Sequence, residues 1–191
     1  YAFQTGAVHS MVGIDELFPG LATAKVSARL PEWPEPSMPW SILEQGSQNG
    51  LMGQMSHLIE GLVEGAEVPA DARIDTSAGE VYIHPSASVS KFVMIEGPCY
   101  IGANVEVRHA AYLRRGSWIC DGAVVGHATE VKNSVLLPDA KAPHFNYVGD
   151  SILGRDVNLG AGCKLSNLRN DGREIRIHNL GIDTGLRKFG A

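Results

Sequence analysis

Cysteine is scarce in this chain: Cys99, Cys120 and Cys163, with no CxxC pair among them. That spacing argues against a zinc site or a disulfide framework and for reduced thiols, with Cys99 and Cys163 expected in a core. No run of 18 apolar residues and no signal-peptide pattern occurs, so neither membrane insertion nor export is indicated and a cytoplasmic location is expected. Basic charge is not in excess either. Sixteen Lys and Arg against 21 Asp and Glu give −5, which argues against a nucleic-acid or membrane-surface partner for the chain as a whole. No Gly-rich phosphate loop follows an early strand, so nothing points to a nucleotide-binding domain. What remains is one soluble domain, long enough at 191 residues to bury a core.

What is present is a period. From Ile83 an aliphatic residue recurs at every sixth position: Ile83, Val89, Ile95, Ile101, Val107, Leu113, Ile119, Val125 and Val131. With about half of residues apolar, chance gives such a run roughly once in 500 trials. The position four further on is usually small or β-branched, as at Ala87, Val93, Cys99, Val105, Ala111, Ser117, Ala123 and Thr129. This is the pattern of a parallel β-helix, in which like residues stack in successive turns. The register continues through Leu136, Ala142, Val148, Leu153, Leu159 and Leu165, and the two five-residue steps, Val131 to Leu136 and Val148 to Leu153, predict tightened corners. Three hexads per turn give three short parallel walls with strands about 4.8 Å apart. The period does not fix the hand of the coil; a right-handed crossover is the default.

The first 80 residues read differently. Pro31, Pro34, Pro36 and Pro39 predict extended or irregular structure, and Tyr1 in place of Met suggests a trimmed or tagged start. Ser41 and Glu44 have the spacing of a capping box. Leu51, Met55, Leu58 and Leu62 follow helical spacing, weakened by nearby glycines. Such a helix is expected to cover the open first turn of the coil, where backbone groups would otherwise be unpaired.

Stacking converts spacing into neighbourhood. Arg114 and Lys132 are 18 residues apart, which predicts two cations about 5 Å apart on one wall. They form either a splayed, solvated pair or a clamp for an anion such as a phosphate. His109, His127 and His144 fall in a second column. Side chains on a flat wall diverge, whereas zinc needs converging nitrogens, so a metal site is not expected and His109 and His127 read as surface. Residues 164–191 carry six basic and three acidic residues. The hexad rhythm breaks there, which predicts a loop or hairpin leaving the coil, either reaching over an anionic ligand or simply solvated.

The run EVKNSVLLPDAKAPHFNYVGDSILGRDVNLGAG, residues 130–162, resembles the acetyltransferase half of the bifunctional glucosamine-1-phosphate N-acetyltransferase/N-acetylglucosamine-1-phosphate uridyltransferase family. The following NLRNDG…IDTGLRKFGA is closest to the β-helical tail of archaeal-type sugar-1-phosphate nucleotidyltransferases. The resemblance implies an all-β fold, a left-handed parallel β-helix of hexapeptide repeats with an N-terminal helical or irregular cap. It divides the chain into a segment 1–80 and a β-helix 81–191 with an excursion at about 166–190. It also implies a homotrimer with active sites between subunits, acetyl-CoA as cosubstrate, an amino sugar 1-phosphate as acceptor, and a place in UDP-N-acetylglucosamine biosynthesis.

By the same resemblance, His144 of the H-x-x-Y-x-G-D motif, with Tyr147, Gly149 and Asp150, is the general base. Arg114 of LRRG and Lys132 after Glu130 hold the phosphate. Asn158 and Asn167 contact the acceptor together with Tyr147, and Ala161 lies near the acetyl-CoA carbonyl. Histidine suits the work because a free amine must be generated near neutral pH, and backbone N–H groups of 160–162 can stabilise the tetrahedral oxyanion. Leu168 stands where the acetyltransferases carry an aromatic residue, and Arg173, Arg176 or Lys188 stands in for the family's loop lysine. The family continues past the position of Ala191 with hexads that hold the coenzyme, so the expectation is either a fragment or an incomplete coenzyme site. A non-catalytic sugar-phosphate-binding or scaffold trimer is the alternative.

Overall fold

The computed structural model describes residues 13–19, 21, 29–33, 37–62, 65–178 and 181–190; Tyr1, Pro34 and Pro36, on which expectations were placed, lie outside them. The hexads wind into an all-parallel, left-handed β-helix of about five turns. The first wall contains β1 (Arg73–Asp75), β4 (Met94–Glu96), β7 (Tyr112–Leu113), β10 (Glu130–Lys132), β13 (Tyr147–Gly149) and β15 (Lys164–Leu165). The second contains β2 (Val81–Ile83), β5 (Cys99–Ile101), β8 (Ser117–Ile119), β11 (Ser134–Leu136) and β14 (Ile152–Leu153). The third contains β3 (Ser88–Val89), β6 (Glu106–Val107), β9 (Val124–His127) and β12 (Lys141–His144). The hexad aliphatics point inward and pack as one core, with Ile95, Ile101, Leu113, Ile119, Val125, Val131, Leu136 and Val148 all fully buried. The first strand on the coil is β1, ahead of residue 81.

Sharp corners explain the residues between the strands. A chain that turns this tightly needs a left-handed backbone, which Gly, Asn and Asp adopt at least cost. The corner from the first wall to the second carries Gly116, Asn133 and Asp150, and that from the second to the third carries Asn104, Gly122, Asp139 and Asp156, all at positive φ. The corner back to the first wall carries Phe92, Ala110, Ala128 and Phe145 at positive φ, where bulky side chains are unusual. Both five-residue steps of the sequence cross the first of these corners. They remove the counterpart of Arg115 and bring Asn133 and Asp150 directly behind Lys132 and Gly149.

The second wall is apolar on both faces. Outward-facing Tyr82, Tyr100 and Trp118 form a ladder with ring centroids 5.5 and 5.4 Å apart. Trp40, Ile42, Leu43, Leu51, Met55 and Ile59 of the N-terminal segment cover it. The helix expected from the spacing of Leu51, Met55 and Leu58 is α2 (Leu51–Glu60), which follows a single-turn α1 (Ile14–Leu17). It lies along the flank against β5 and not over the open first turn, because the aromatic ladder offers a larger apolar surface than one turn's edge. The Ser41/Glu44 box does not form. Ser41 sits inside a 3-10 turn (Pro39–Leu43) with its hydroxyl on Ser37, and Gly50 caps α2 without a side-chain bond.

The excursion after Leu165 contains an antiparallel hairpin, β16 (Arg176–Ile177) and β17 (Ile182–Asp183). Ile177, Ile182, Leu186 and Phe189 turn its apolar side onto the same second-wall cluster. Cys99 and Cys120 are buried, and burial pushes both thiols up. Cys163, expected inside with Cys99, is exposed, because among the described residues no further turn stacks on its own.

Candidate active site

On the first wall the residues flanking each inward aliphatic point outward, so register sets who meets whom. Tyr112 and Tyr147 each pair with Glu130, and Gly149 pairs with Lys132. The two stacked cations do not face each other bare, as the 18-residue spacing alone suggested. Arg114 Nη1 donates to Glu130 Oε1 at 2.8 Å, and this bond holds the guanidinium pKa up. Lys132 Nζ donates to both carboxylate oxygens of Asp150, at 3.1 and 2.9 Å. Like charges one turn apart are tolerated because each has its own carboxylate, from a neighbouring column or the next corner. Tyr112 donates to Glu96, which raises the phenol pKa, and the Arg114 guanidinium lies 5.8 Å from the Tyr112 ring centroid.

Beside this wall lies a pocket of about 420 Å³ lined by Glu96, Arg114, Arg115, Lys132 and Asn133, with Gln45 and Met52 of the N-terminal segment on its far side. Arg115 is a third cation there. It is exposed, and its guanidinium makes no hydrogen bond or ion pair to another described residue, while its carbonyl accepts from the Asn133 N–H at 3.0 Å. Tyr147 and Asn167 stand one turn further along. Asn167 Nδ2 donates to Tyr147 Oη at 3.2 Å and also to Asp150. A Cβ on Gly149 would come within 2.5 Å of Tyr147 Oη and 2.7 Å of Asn167 Nδ2. Only glycine lets the tyrosine lie flat here.

His144 ends β12 on the adjacent wall, and the corner at Phe145 carries the chain on to Tyr147. Its backbone is fixed from both sides: the N–H donates to Asn146 Oδ1 at 3.0 Å, and the carbonyl accepts from Gly162 N–H at 3.0 Å. Buried Asn146 donates to the Gly160 carbonyl at 2.8 Å, tying the His144 corner to the Gly-rich turn of the next rung. The His144 imidazole is exposed and bonds to no other described residue. It opens on a pocket of about 470 Å³ with Lys141, Asn158, Gly160 and Ala161. Gly162 N–H is engaged by His144, so an oxyanion at this turn would use the amides of Gly160 and Ala161.

The structure therefore gathers Arg114, Lys132, Tyr147 and Asn167 on one wall and His144, Asn158 and Ala161 on the next, with one corner between them. Further back along the column that ends in His144, His109 and His127 stack at 5.3 Å between centroids and 17° between planes. Phe92 and Phe145 close the column edge-on at 5.5 and 5.1 Å.

Four contributors were not assigned from the sequence: Glu96, Arg115, Asn133 and Asn146. Arg115 was readable in LRRG. Asn133 was flagged only indirectly, by a five-residue step, whereas Asp150 was named within the H-x-x-Y-x-G-D motif.

Residues 95–182 match the family described as the GMPPB C-terminal domain. Over 183 residues, 92% of this chain and 76% of the relative, the chain is 31% identical to an uncharacterized acetyltransferase YaiX of Escherichia coli O6:K15:H31. It is 41% identical over 115 residues to a bifunctional sugar-1-phosphate nucleotidylyltransferase/acetyltransferase of Sulfurisphaera tokodaii, covering 59% of this chain and 29% of that protein. With the bifunctional protein GlmU of Methanococcus vannielii it shares 31% identity over 162 residues, 83% of this chain and 36% of that one. The chain spans about a third of the length of these bifunctional relatives.

Proposed function

The chain belongs to the β-helical acetyltransferase family that includes the bifunctional sugar-1-phosphate nucleotidylyltransferase/acetyltransferases, and from that premise we propose that it is an acetyl-CoA-dependent N-acetyltransferase acting on an amino sugar 1-phosphate. The observation that carries this reading is a cation-lined pocket along the first wall together with an exposed, unengaged imidazole on the adjoining third wall. Arg114, Arg115 and Lys132 receive the acceptor's phosphate. Lys132 has three N–H donors and Asp150 takes two, so one remains for the ligand. Tyr147, Asn158 and Asn167 contact the sugar.

His144 takes the proton that the amine loses as its nitrogen attacks the thioester carbonyl. The C–S bond then breaks, an amide forms, and coenzyme A leaves as the thiol once protonated. Ala161 lies beside the acyl carbonyl, and its amide with that of Gly160 stabilises the oxyanion.

We propose further that the working form is a homotrimer. In one protomer the two halves of the site lie on adjoining walls. A second copy along the shared edge would bring its histidine pocket towards the cation wall. The exposed Phe92 and Phe145, 61% and 56% accessible on a left-handed backbone, support that edge as a contact. A second reading, sugar-phosphate binding without catalysis, is favoured by the internal carboxylate partners of Arg114 and Lys132 and by Leu168.

Incubating the chain with acetyl-CoA and glucosamine 1-phosphate while following free thiol separates the two. Acceptor-dependent thiol release supports the enzyme. Saturable acceptor binding with no thiol release supports the binding protein.

A further inference from the structure

Asp150 is the most connected polar side chain of the site, and in the functional reading above it figures only as the partner of Lys132. Its carboxylate is 1% exposed. It accepts from Lys132 Nζ, from Asn133 Nδ2 at 2.9 Å and from Asn167 Nδ2. Through these donors the carboxylate ties three parts of the molecule together. Lys132 belongs to the cation wall. Asn133 donates also to the Leu43 carbonyl at 2.9 Å and so engages the N-terminal segment. Asn167 begins the C-terminal excursion, whose end returns to the same residue through the Gly190 N–H on the Asp150 carbonyl at 2.7 Å. Backbone φ at Asp150 is +49°, a conformation that Asp and Asn accept more readily than other non-glycine residues.

Buried carboxylates are costly unless fully paired, and this one is. Removing an acceptor that holds three donors leaves each donor free to reorient. Lys132 and Asn133 line the cation pocket, and Asn167 stands beside Tyr147 one turn further along.

We propose that Asp150 is a positioning residue for the acceptor: its carboxylate fixes Lys132 so that the remaining ammonium proton faces the incoming phosphate, and fixes Asn167 so that Tyr147 is held over Gly149. The inference rests on the functional reading above and adds a residue that acts through others without touching the reacting atoms. It also gives the N-terminal segment and the excursion a shared anchor behind the phosphate pocket.

Three variants test it: Asp150→Asn, which keeps size and backbone preference, Asp150→Glu, and Asp150→Ala as the disruptive extreme. Two readouts are needed. Steady-state kinetics should show acceptor KM raised about tenfold or more in Asp150→Asn, from the loss of one charge-assisted bond. The acetyl-CoA KM should be unchanged and kcat within about threefold. A purely structural role would lower the active fraction and leave both KM values alone, which overturns the proposal.

The second readout needs no acceptor. In the wild type the Lys132 ammonium and the Asn167 side-chain amide should give slowly exchanging proton–nitrogen NMR signals, lost in Asp150→Asn and partly restored in Asp150→Glu. Signals that persist in a folded Asp150→Asn overturn the proposal even if turnover falls. A wild type that ignores every amino sugar phosphate would overturn the functional reading, and the NMR result would then decide the role of Asp150 by itself.

Discussion

At the scale of single residues the two wall cations separate cleanly. Arg114 and Glu130 are 38% and 35% exposed, so their pair is a surface ion pair. Arg114→Ala should cost less than about 1 kcal/mol of folding stability. Lys132 and Asp150 are 15% and 1% exposed. Lys132→Ala strands a buried carboxylate, and should cost about 3 kcal/mol or more. Chemical denaturation of both variants checks the contrast, and equal losses would contradict it. Both should weaken acceptor binding, whereas His144→Ala should leave binding nearly intact and lower kcat by roughly 10²–10⁴-fold, the usual worth of a positioned base. That loss should shrink at high pH, where more of the amine is already free. Near-normal turnover of His144→Ala at neutral pH would remove the base role.

Elements hold two further consequences. The aromatic ladder on the second wall is where the N-terminal segment adheres. Trp118, 2% exposed with Nε1 donating to the Arg29 carbonyl, should cost about 3–5 kcal/mol as Trp118→Ala and loosen α2, which hydrogen exchange on residues 51–60 would detect. In the excursion, Asp171 accepts from Arg169 Nη2 at 2.6 Å and from Arg173 Nε at 3.0 Å. The Arg169 bond is the main cause that holds its carboxyl well below the usual range. A depressed carboxylate pKa gives stability that is present above about pH 4 and is lost as pH falls further, through the folded-state value. The Ile175 and Thr184 amides, which close the hairpin, should therefore exchange faster below that range in the wild type, with no such acid step in Asp171→Asn.

The walls were legible from the hexads because an inward side chain every sixth residue leaves no other way to bury them. The flank of α2 was not, because which wall a helix covers depends on outward residues such as Tyr82, Tyr100 and Trp118. Their stacking follows only once the register is applied to the polar face as well. The site was half legible for the same reason. Columns follow from spacing, but the diagonal partner Glu130 depends on side-chain direction along the wall, and Asp150 on its direction at a shortened corner.

At the scale of the whole molecule, a site divided between two walls predicts that assembly and activity rise together. Sedimentation across a concentration series should give a trimer at micromolar protein, with activity per chain falling as it dissociates; a compact monomer with full activity would contradict the shared site. Phe92→Asp or Phe145→Asp should favour the monomer if their edge is the contact. The central claim is acyl transfer to a phosphorylated amino sugar. Its most direct measurement is carbon NMR of acetyl-CoA labelled at the acetyl carbonyl, incubated with glucosamine 1-phosphate and either wild-type chain or His144→Ala. The account predicts that label moves from the thioester to an amide on the sugar nitrogen in the wild type, and does so at least about a hundredfold more slowly in the variant. An unchanged thioester with saturating wild-type protein, or equal rates in the two proteins, would contradict it.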